Sequence, residues 1–236
     1  VRPSVRLVPI SDDLWVAEGP NVEFFGLCYP TRMVVARLPD GLWIWSPVAL
    51  DPALREAIDA LGEVAWLVSP NKIHHLFLAP WQAAYPRAQL CGLAQVAGKR
   101  RDLRFDRLLD DQPPLAWAGH VDQVVVRGSV VMEEVGFFHR ASETLIVADL
   151  IENFERDFLD AHWKPWQIRL ARWAGIVAPD GQAPLDFRTS FLRRKPARAA
   201  VATILSWAPR RVIMAHGAIV SEDAVAFLER SFRWLK

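Results

Sequence analysis

The sequence predicts a layered α/β fold. Three observations carry that reading: a hairpin, a helix and a buried strand follow one another at short spacing between residues 33 and 68; further apolar strand patterns lie at 124–126, 134–138 and 144–148; and a last apolar strand at 211–215 precedes an amphipathic helix. Strands alternating with helical periodicity at this spacing mark a sheet with helices packed on its face.

Each element has a local cause. Met33-Val-Val-Ala-Arg-Leu38 and Leu42-Trp-Ile-Trp45 flank Pro39-Asp40-Gly41. Proline fixes φ, aspartate caps the backbone and glycine tolerates the turn, so the tripeptide reverses the chain. Asp51-Pro52 supplies a helix N-cap and a first helical residue. Leu50, Leu54, Ile58 and Leu61 then recur at helical spacing, and Gly62 closes the helix. Ala65-Trp-Leu-Val68 is a short buried strand, and Asp106 to Pro114 a loop or short helix stopped by its prolines. Val124-Val-Val126, Glu134-Val-Gly-Phe-Phe138 and Thr144-Leu-Ile-Val-Ala148 are strands, the last two joined by a turn at Arg140-Ala-Ser-Glu143. Ile151 to Lys195 holds Trp- and Phe-rich helical patches broken at Pro165, Pro179 and Pro184. It is expected as a helical insertion, around residues 151–195, in one domain covering residues 1–236. Arg211-Val-Ile-Met-Ala215 is a buried strand. Ser221-Glu-Asp223 begins a last helix with Val225, Leu228, Phe232 and Leu235 on one face.

Composition narrows the class. Of 236 residues, 52% are hydrophobic and 23% charged, which excludes intrinsic disorder. Twenty-eight Lys and Arg against 27 Asp and Glu leave a formal charge of +1, without the positive excess of a dedicated nucleic-acid binder. No apolar run reaches the ~18 residues of a spanning helix, and the first residues lack the apolar stretch of a secretory signal. The expectation is therefore a cytoplasmic protein with a small-molecule substrate or ligand and with neither nucleic acid nor membrane as partner. Cys28 and Cys91 are too few and too far apart for a disulfide framework or a cysteine zinc site.

Several signatures are missing. There is no Gly-x-Gly-x-x-Gly, no Gly-x-Ser-x-Gly and no His-Glu-x-x-His. Gly92 to Gly98-Lys99 is one residue too long for a phosphate-binding loop, and Arg100 stands where a magnesium-binding hydroxyl is needed. The basic run Lys99 to Arg104 is a phosphate contact or a solvated face.

The informative segments are three strand ends. Trp66-Leu-Val-Ser-Pro70 runs into Asn71-Lys-Ile-His-His75; Leu145-Ile-Val-Ala148 ends in Asp149; and Val212-Ile-Met-Ala215 ends in His216-Gly217. Ligands gather at the carboxyl ends of strands in α/β folds. Imidazole and carboxylate together suit zinc, iron or manganese, so these ends form a candidate constellation for one divalent metal.

The segments Asn71 to Trp81, Phe138 to Asn153 and Ala215-His-Gly217, in this order along the chain, resemble the metallo-β-lactamase-like hydrolase superfamily. The likeness spans roughly residues 5–235 and is greatest to an uncharacterised branch of it, a domain of unknown function. It implies a four-layer αββα sandwich. The superfamily's usual loop reads Thr-His-x-His-x-Asp-His. On this chain Ser69 takes the Thr place, Pro70 the first His, Lys72 the second, His74 the Asp and His75 the final His. Pro cannot ligate and a protonated Lys repels a cation, so the first of two metal sites is expected to be lost. The resemblance implies His74, His75, Asp149 and His216 as ligands of the second.

Lys72 then has two readings. Its ammonium replaces the lost cation by pairing with Asp149 or Glu134, since an unpaired buried carboxylate costs several kcal/mol, or it points into solvent from a loop. Two function classes stand beside each other: a hydrolase working through one divalent ion (Zn, Fe or Mn), and a metal-free binding or structural relative.

Overall fold

The computed structural model describes residues 5–236. The first sheet takes its strands in chain order: β1 (Leu7–Ser11), β2 (Leu14–Phe24), β3 (Leu27–Leu38), β4 (Gly41–Trp45), β5 (Val64–Ser69), β6 (Gln89–Gly92) and β7 (Arg107–Leu108). β1 to β4 pair antiparallel; β4 to β7 pair parallel. The parallel crossovers carry α1 (Pro52–Leu61), α2 (Leu78–Ala84) and α3 (Ala94–Lys99). The second sheet has β8 (Val121–Val126), β9 (Glu134–His139) and β10 (Thr144–Val147) antiparallel in succession. After α4 (Arg156–His162), α5 (Pro165–Ala174), α6 (Leu185–Thr189) and α7 (Arg194–Ser206), β11 (Arg211–Met214) returns parallel to β10. α8 (Ala224–Ser231) and a 3₁₀ turn (Arg233–Leu235) follow.

Side-chain alternation along the strands builds four layers. Val34, Trp43, Trp45 and Val68 of the first sheet meet Val125, Phe137, Ile146 and Ile213 of the second in a common core. Their neighbours one residue away point outward: Met33, Val35, Ile44 and Leu67 pack on Leu54 and Ile58 of α1 and Leu78 and Trp81 of α2. On the far side, Val124, Val126, Leu145, Val147, Val212 and Met214 pack on Ala197, Val201 and Ile204 of α7 and Leu228 of α8. A strand buried on both faces reads as an unbroken apolar run, which is why Met33 to Ala36 and Leu145 to Ala148 show no polar alternation.

The segment 151–195 holds α4, α5 and α6. Phe154, Leu159, Trp163 and Ile168 form a separate apolar cluster against Leu27, Cys28 and Tyr29 at the start of β3. The Trp163 indole donates to the Cys28 carbonyl at 2.7 Å. Trp166 and Trp173 face solvent instead. Elsewhere the structure departs from the pattern in two places. Residues 107–108 are a two-residue edge strand, added because β6 leaves a free parallel edge beside them. In α8 the buried positions are Ala224, Phe227, Leu228 and Ser231, and Val225 is exposed, because the helix starts at Ala224 after an αL residue at Asp223.

The core gives a first prediction. Trp43 is fully buried, with its ring 5.1 Å from Phe137 in edge-to-face geometry. Trp43→Ala is expected to cost about 3–5 kcal/mol in urea unfolding. Trp166→Ala, on the solvent face of α5, should stay within about ±0.5 kcal/mol.

Candidate metal centre

The polar residues gather where strands of both sheets end. β4 leads to Ser46, β5 to Asn71 and His74, β10 to Asp149 and β11 to His216, while β9 begins at Glu134. Backbone joins the two sheets at this edge: Val135 N–H donates to the Pro70 carbonyl at 2.9 Å, and Asn71 bridges to Glu134.

Three of the expected residues converge. His74 Nε2 lies 3.2 Å from Asp149 Oδ2, and His216 Nε2 lies 3.5 Å from Asp149 Oδ1. One ligand atom from each of the three lies within 4.8 Å of the others. Both rings are held from behind. His74 Nδ1 is 2.7 Å from Ser46 Oγ, and His216 Nδ1 is 2.7 Å from the Pro30 carbonyl. The second contact anchors Nδ1 of His216 on that carbonyl and turns Nε2 toward Asp149. Tyr29 supports the same ring edge-on at 5.1 Å. Ser46 reaches His74 from a φ of 47°, a left-handed conformation rare for a non-glycine residue.

Gly217, next to His216, cannot be replaced without moving backbone. Its φ is 107°, and a Cβ there would lie 2.0 Å from the Asn153 carbonyl oxygen. That close approach lets Asn153 N–H donate to the His216 carbonyl at 3.0 Å, which fixes the strand end carrying the imidazole.

His75 does not join the three. Its carbonyl accepts from Arg100 Nη1 at 2.8 Å and its ring lies beside the same guanidinium. Burial, Lys99 and Arg100 together lower its pKa. Adjacent residues of a tight turn project in different directions, so His74 and His75 cannot both face Asp149.

Lys72 also lies elsewhere than the salt-bridge reading required. Its ammonium donates to the Val131 carbonyl and forms no ion pair with Asp149 or Glu134. The side chain that links those carboxylates is Asn71, whose Nδ2 lies 2.6 Å from Asp149 Oδ2 and 2.9 Å from Glu134 Oε2. Its Oδ1 accepts from Ile73 and His74 N–H, so one amide orders both the acids and the histidine loop. Glu134 further accepts from the backbone N–H groups of Ala148, Asp149 and Leu150. Burial and the Asp149 charge nonetheless push its pKa up to about 8. Burial also works against ionised Asp149, but the two imidazoles outweigh it and hold its pKa below the carboxylate range.

Sequence reasoning missed Asn71, Ser46 and Glu152. Asn71 adjoins the quoted loop residues, yet nothing in sequence says that its amide rather than the Lys72 ammonium reaches inward. Glu152 carried a signal: it is a second acid, three residues after Asp149, in the largely apolar run from Leu145 to Phe154. The trio forms part of a cleft of about 380 Å³ that Glu152, Tyr29, Phe24 and Phe25 also line.

No family model matches the chain, and no curated protein matches it by sequence. Solved structures do. The DIM-1 metallo-β-lactamase exposed to ceftazidime superposes with a TM-score of 0.67 at 14% identity, over 99% of this chain and 97% of that one. The metallo-β-lactamase from Pontibacter korlensis gives 0.65 at 12% identity, over 98% and 99%. The metal-soaked Flv1 flavodiiron core from Synechocystis gives 0.67 at 12% identity, over 98% of this chain and 60% of that one. The chain has the metallo-β-lactamase fold, in which two sheets with helices outside form an αββα sandwich. At these identities the likeness is one of fold. No helix is long and apolar enough to cross a membrane among the described residues.

The Asn71 bridge is testable. A hydrogen bond to a charged group is worth about 1.5–3 kcal/mol and one to a neutral group about 0.5–1.5, and Asn71→Ala removes one from ionised Asp149 and one from the largely protonated Glu134, so a loss of about 2–4 kcal/mol is expected. Lys72→Met should remain within about ±0.5 kcal/mol. Chemical denaturation of both variants distinguishes the amide bridge from an ammonium counter-charge, which would reverse the order.

Proposed function

We propose that the chain is a metal-dependent hydrolase working through a single divalent ion held by His74, Asp149 and His216. The observation that supports this is the convergence of two imidazole Nε2 atoms on one carboxylate, at 3.2 and 3.5 Å, with the far nitrogens already engaged by Ser46 and Pro30. Ligands about 2.0–2.1 Å from a tetrahedral ion stand roughly 3.3 Å apart, so both contacts match that spacing. Hydrogen bonds behind metal-binding imidazoles are the usual way of fixing their tautomer and orientation. Two imidazoles and one carboxylate suit zinc, iron or manganese.

A bound divalent ion would supply an acidified water, with a pKa near ~7, and polarisation of a carbonyl or phosphoryl oxygen. The chain's own part is to hold its three ligands toward the cleft, to keep Asp149 ionised through the facing imidazoles, and to shelter the site under apolar walls. Phe24 and Phe25 on the β2–β3 turn and Phe77 after the histidine loop form part of those walls, so a substrate with apolar bulk is favoured.

A second ion has no comparable set. Pro70 offers no donor, Lys72 is turned to Val131, and Glu134 is bonded by three backbone N–H groups and Asn71. The metal-free alternative keeps the same trio as a network of hydrogen bonds, and metal analysis separates the two.

After equilibrium dialysis against zinc, iron(II) or manganese(II), one ion per chain is expected by elemental analysis. His216→Ala should abolish retention, and Ser46→Ala should weaken it about 10–100-fold, as removal of a supporting hydrogen bond does elsewhere. His75→Ala should leave it unchanged. No retained metal in the wild type would exclude the hydrolase reading, and two ions per chain would exclude the single-ion site.

A further inference from the structure

Three acids are buried among the described residues, Glu134, Asp149 and Glu152, and the structure accounts for two of them. Asp149 faces two imidazoles and the Asn71 amide. Glu134 accepts three backbone N–H groups and the same amide. Glu152 has no such set. It is 1% exposed, and its Oε2 has no hydrogen-bond partner. The residue nonetheless lines the cleft, beside Tyr29, Asp186 and Phe187. Its backbone is tied down by the N–H donating to the Gln182 carbonyl at 3.0 Å, so the carboxyl cannot leave the cavity wall by a small loop shift.

No cation among the described residues serves this acid. Lys72 and Lys99 line the same cleft but donate to the carbonyls of Val131 and Lys72. Arg188 is turned to Gln182 Oε1 at 2.8 Å and the Ala174 carbonyl at 2.6 Å. The charges that do reach Glu152 are negative. Burial, Asp149 and Asp186 raise its pKa, and the Tyr29 phenol is the one side chain that favours its ionised form. An unpaired buried carboxylate costs several kcal/mol, so the free protein holds a proton there.

We propose that this wall of the cleft, made by Glu152 with Asp186 and Tyr29, binds the ammonium group of an amine-bearing substrate. The proposal rests on the reading of the cleft as a substrate site and narrows the substrate class. An alkylammonium brings N–H donors for the bare oxygen and the charge that the wall lacks. Asp186 adds a second negative charge at the rim, and the rings of Tyr29 and Phe187 attract a cation through their faces. On binding, the ammonium stays protonated and the Glu152 proton passes to solvent. Glu152 stands outside the cluster of ligand atoms that lie within 4.8 Å of one another, so it is not a fourth ligand to the same ion.

Calorimetric titration of the whole chain after EDTA treatment tests this, with hexylammonium chloride as probe and 1-hexanol as its uncharged counterpart. The amine should bind at least about tenfold more tightly than the alcohol, as a charge-assisted hydrogen bond requires. Repeating the titration at pH 7 in buffers of different ionisation heat should show release of about one proton per amine bound. Glu152→Gln should bring the amine down to the alcohol's affinity, and Asp186→Asn should weaken the amine alone. Melting curves establish that each variant is folded; the exposed Asp186 position keeps the test decisive if Glu152→Gln does not fold. Equal binding of amine and alcohol, or undiminished amine binding by the folded variants, would overturn the proposal. Metal retention without amine selectivity counts against the ammonium site alone, and amine selectivity without metal retention counts against the hydrolase reading alone.

Discussion

The edge of the sandwich depends on one amide between two acids. Asn71 Nδ2 reaches Asp149 at 2.6 Å and Glu134 at 2.9 Å, while Asn71 Oδ1 accepts from the histidine loop. Asn71 belongs to the first sheet's loop and both acids to the second sheet, so the contact also joins the two halves. Buried carboxylates this close repel one another unless donors stand between them. The amide and the backbone N–H groups of Ala148, Asp149 and Leu150 provide those donors. A neutral amide performs the linking role that one reading of the sequence gave to the Lys72 ammonium.

Two other features follow from that arrangement. With Glu134 saturated by donors, Asp149 keeps both oxygens turned toward imidazoles, and the trio becomes the one group of facing metal-type ligands among the described residues. The helical segment 151–195 then closes the edge from outside, through Phe154 and Trp163 packed on Tyr29 and through Tyr29 packed on His216. Its tryptophans therefore divide by role: Trp163 anchors the segment at the site, while Trp166 and Trp173 lie in solvent.

Much of the architecture was legible in the residues. The Pro39-Asp40-Gly41 turn, the Asp51 cap and the strand runs read at 65–68, 134–138 and 144–148 rest on local chemistry, and the structure places strands there to within a residue at each end. The hidden elements were those whose signal is not local. β7 is two residues long and exists by pairing with β6, and α2 has no side-chain cap to mark its start. α7 begins at Arg194 after Arg193, with no side-chain cap, and is held by its apolar face on the second sheet.

At the site the division is the same. By itself the sequence determined that Asp149 and His216 end apolar strands and that a histidine pair follows β5, because strand periodicity acts over a few residues. Only the tertiary structure decided which histidine of the pair faces Asp149, that Asn71 rather than Lys72 bridges the acids, and that Glu152 stands in the cleft without a partner. Those outcomes depend on the direction in which a tight turn projects successive side chains and on how two sheets, joined through Pro70 and Asn71, bring residues more than sixty positions apart within hydrogen-bond distance.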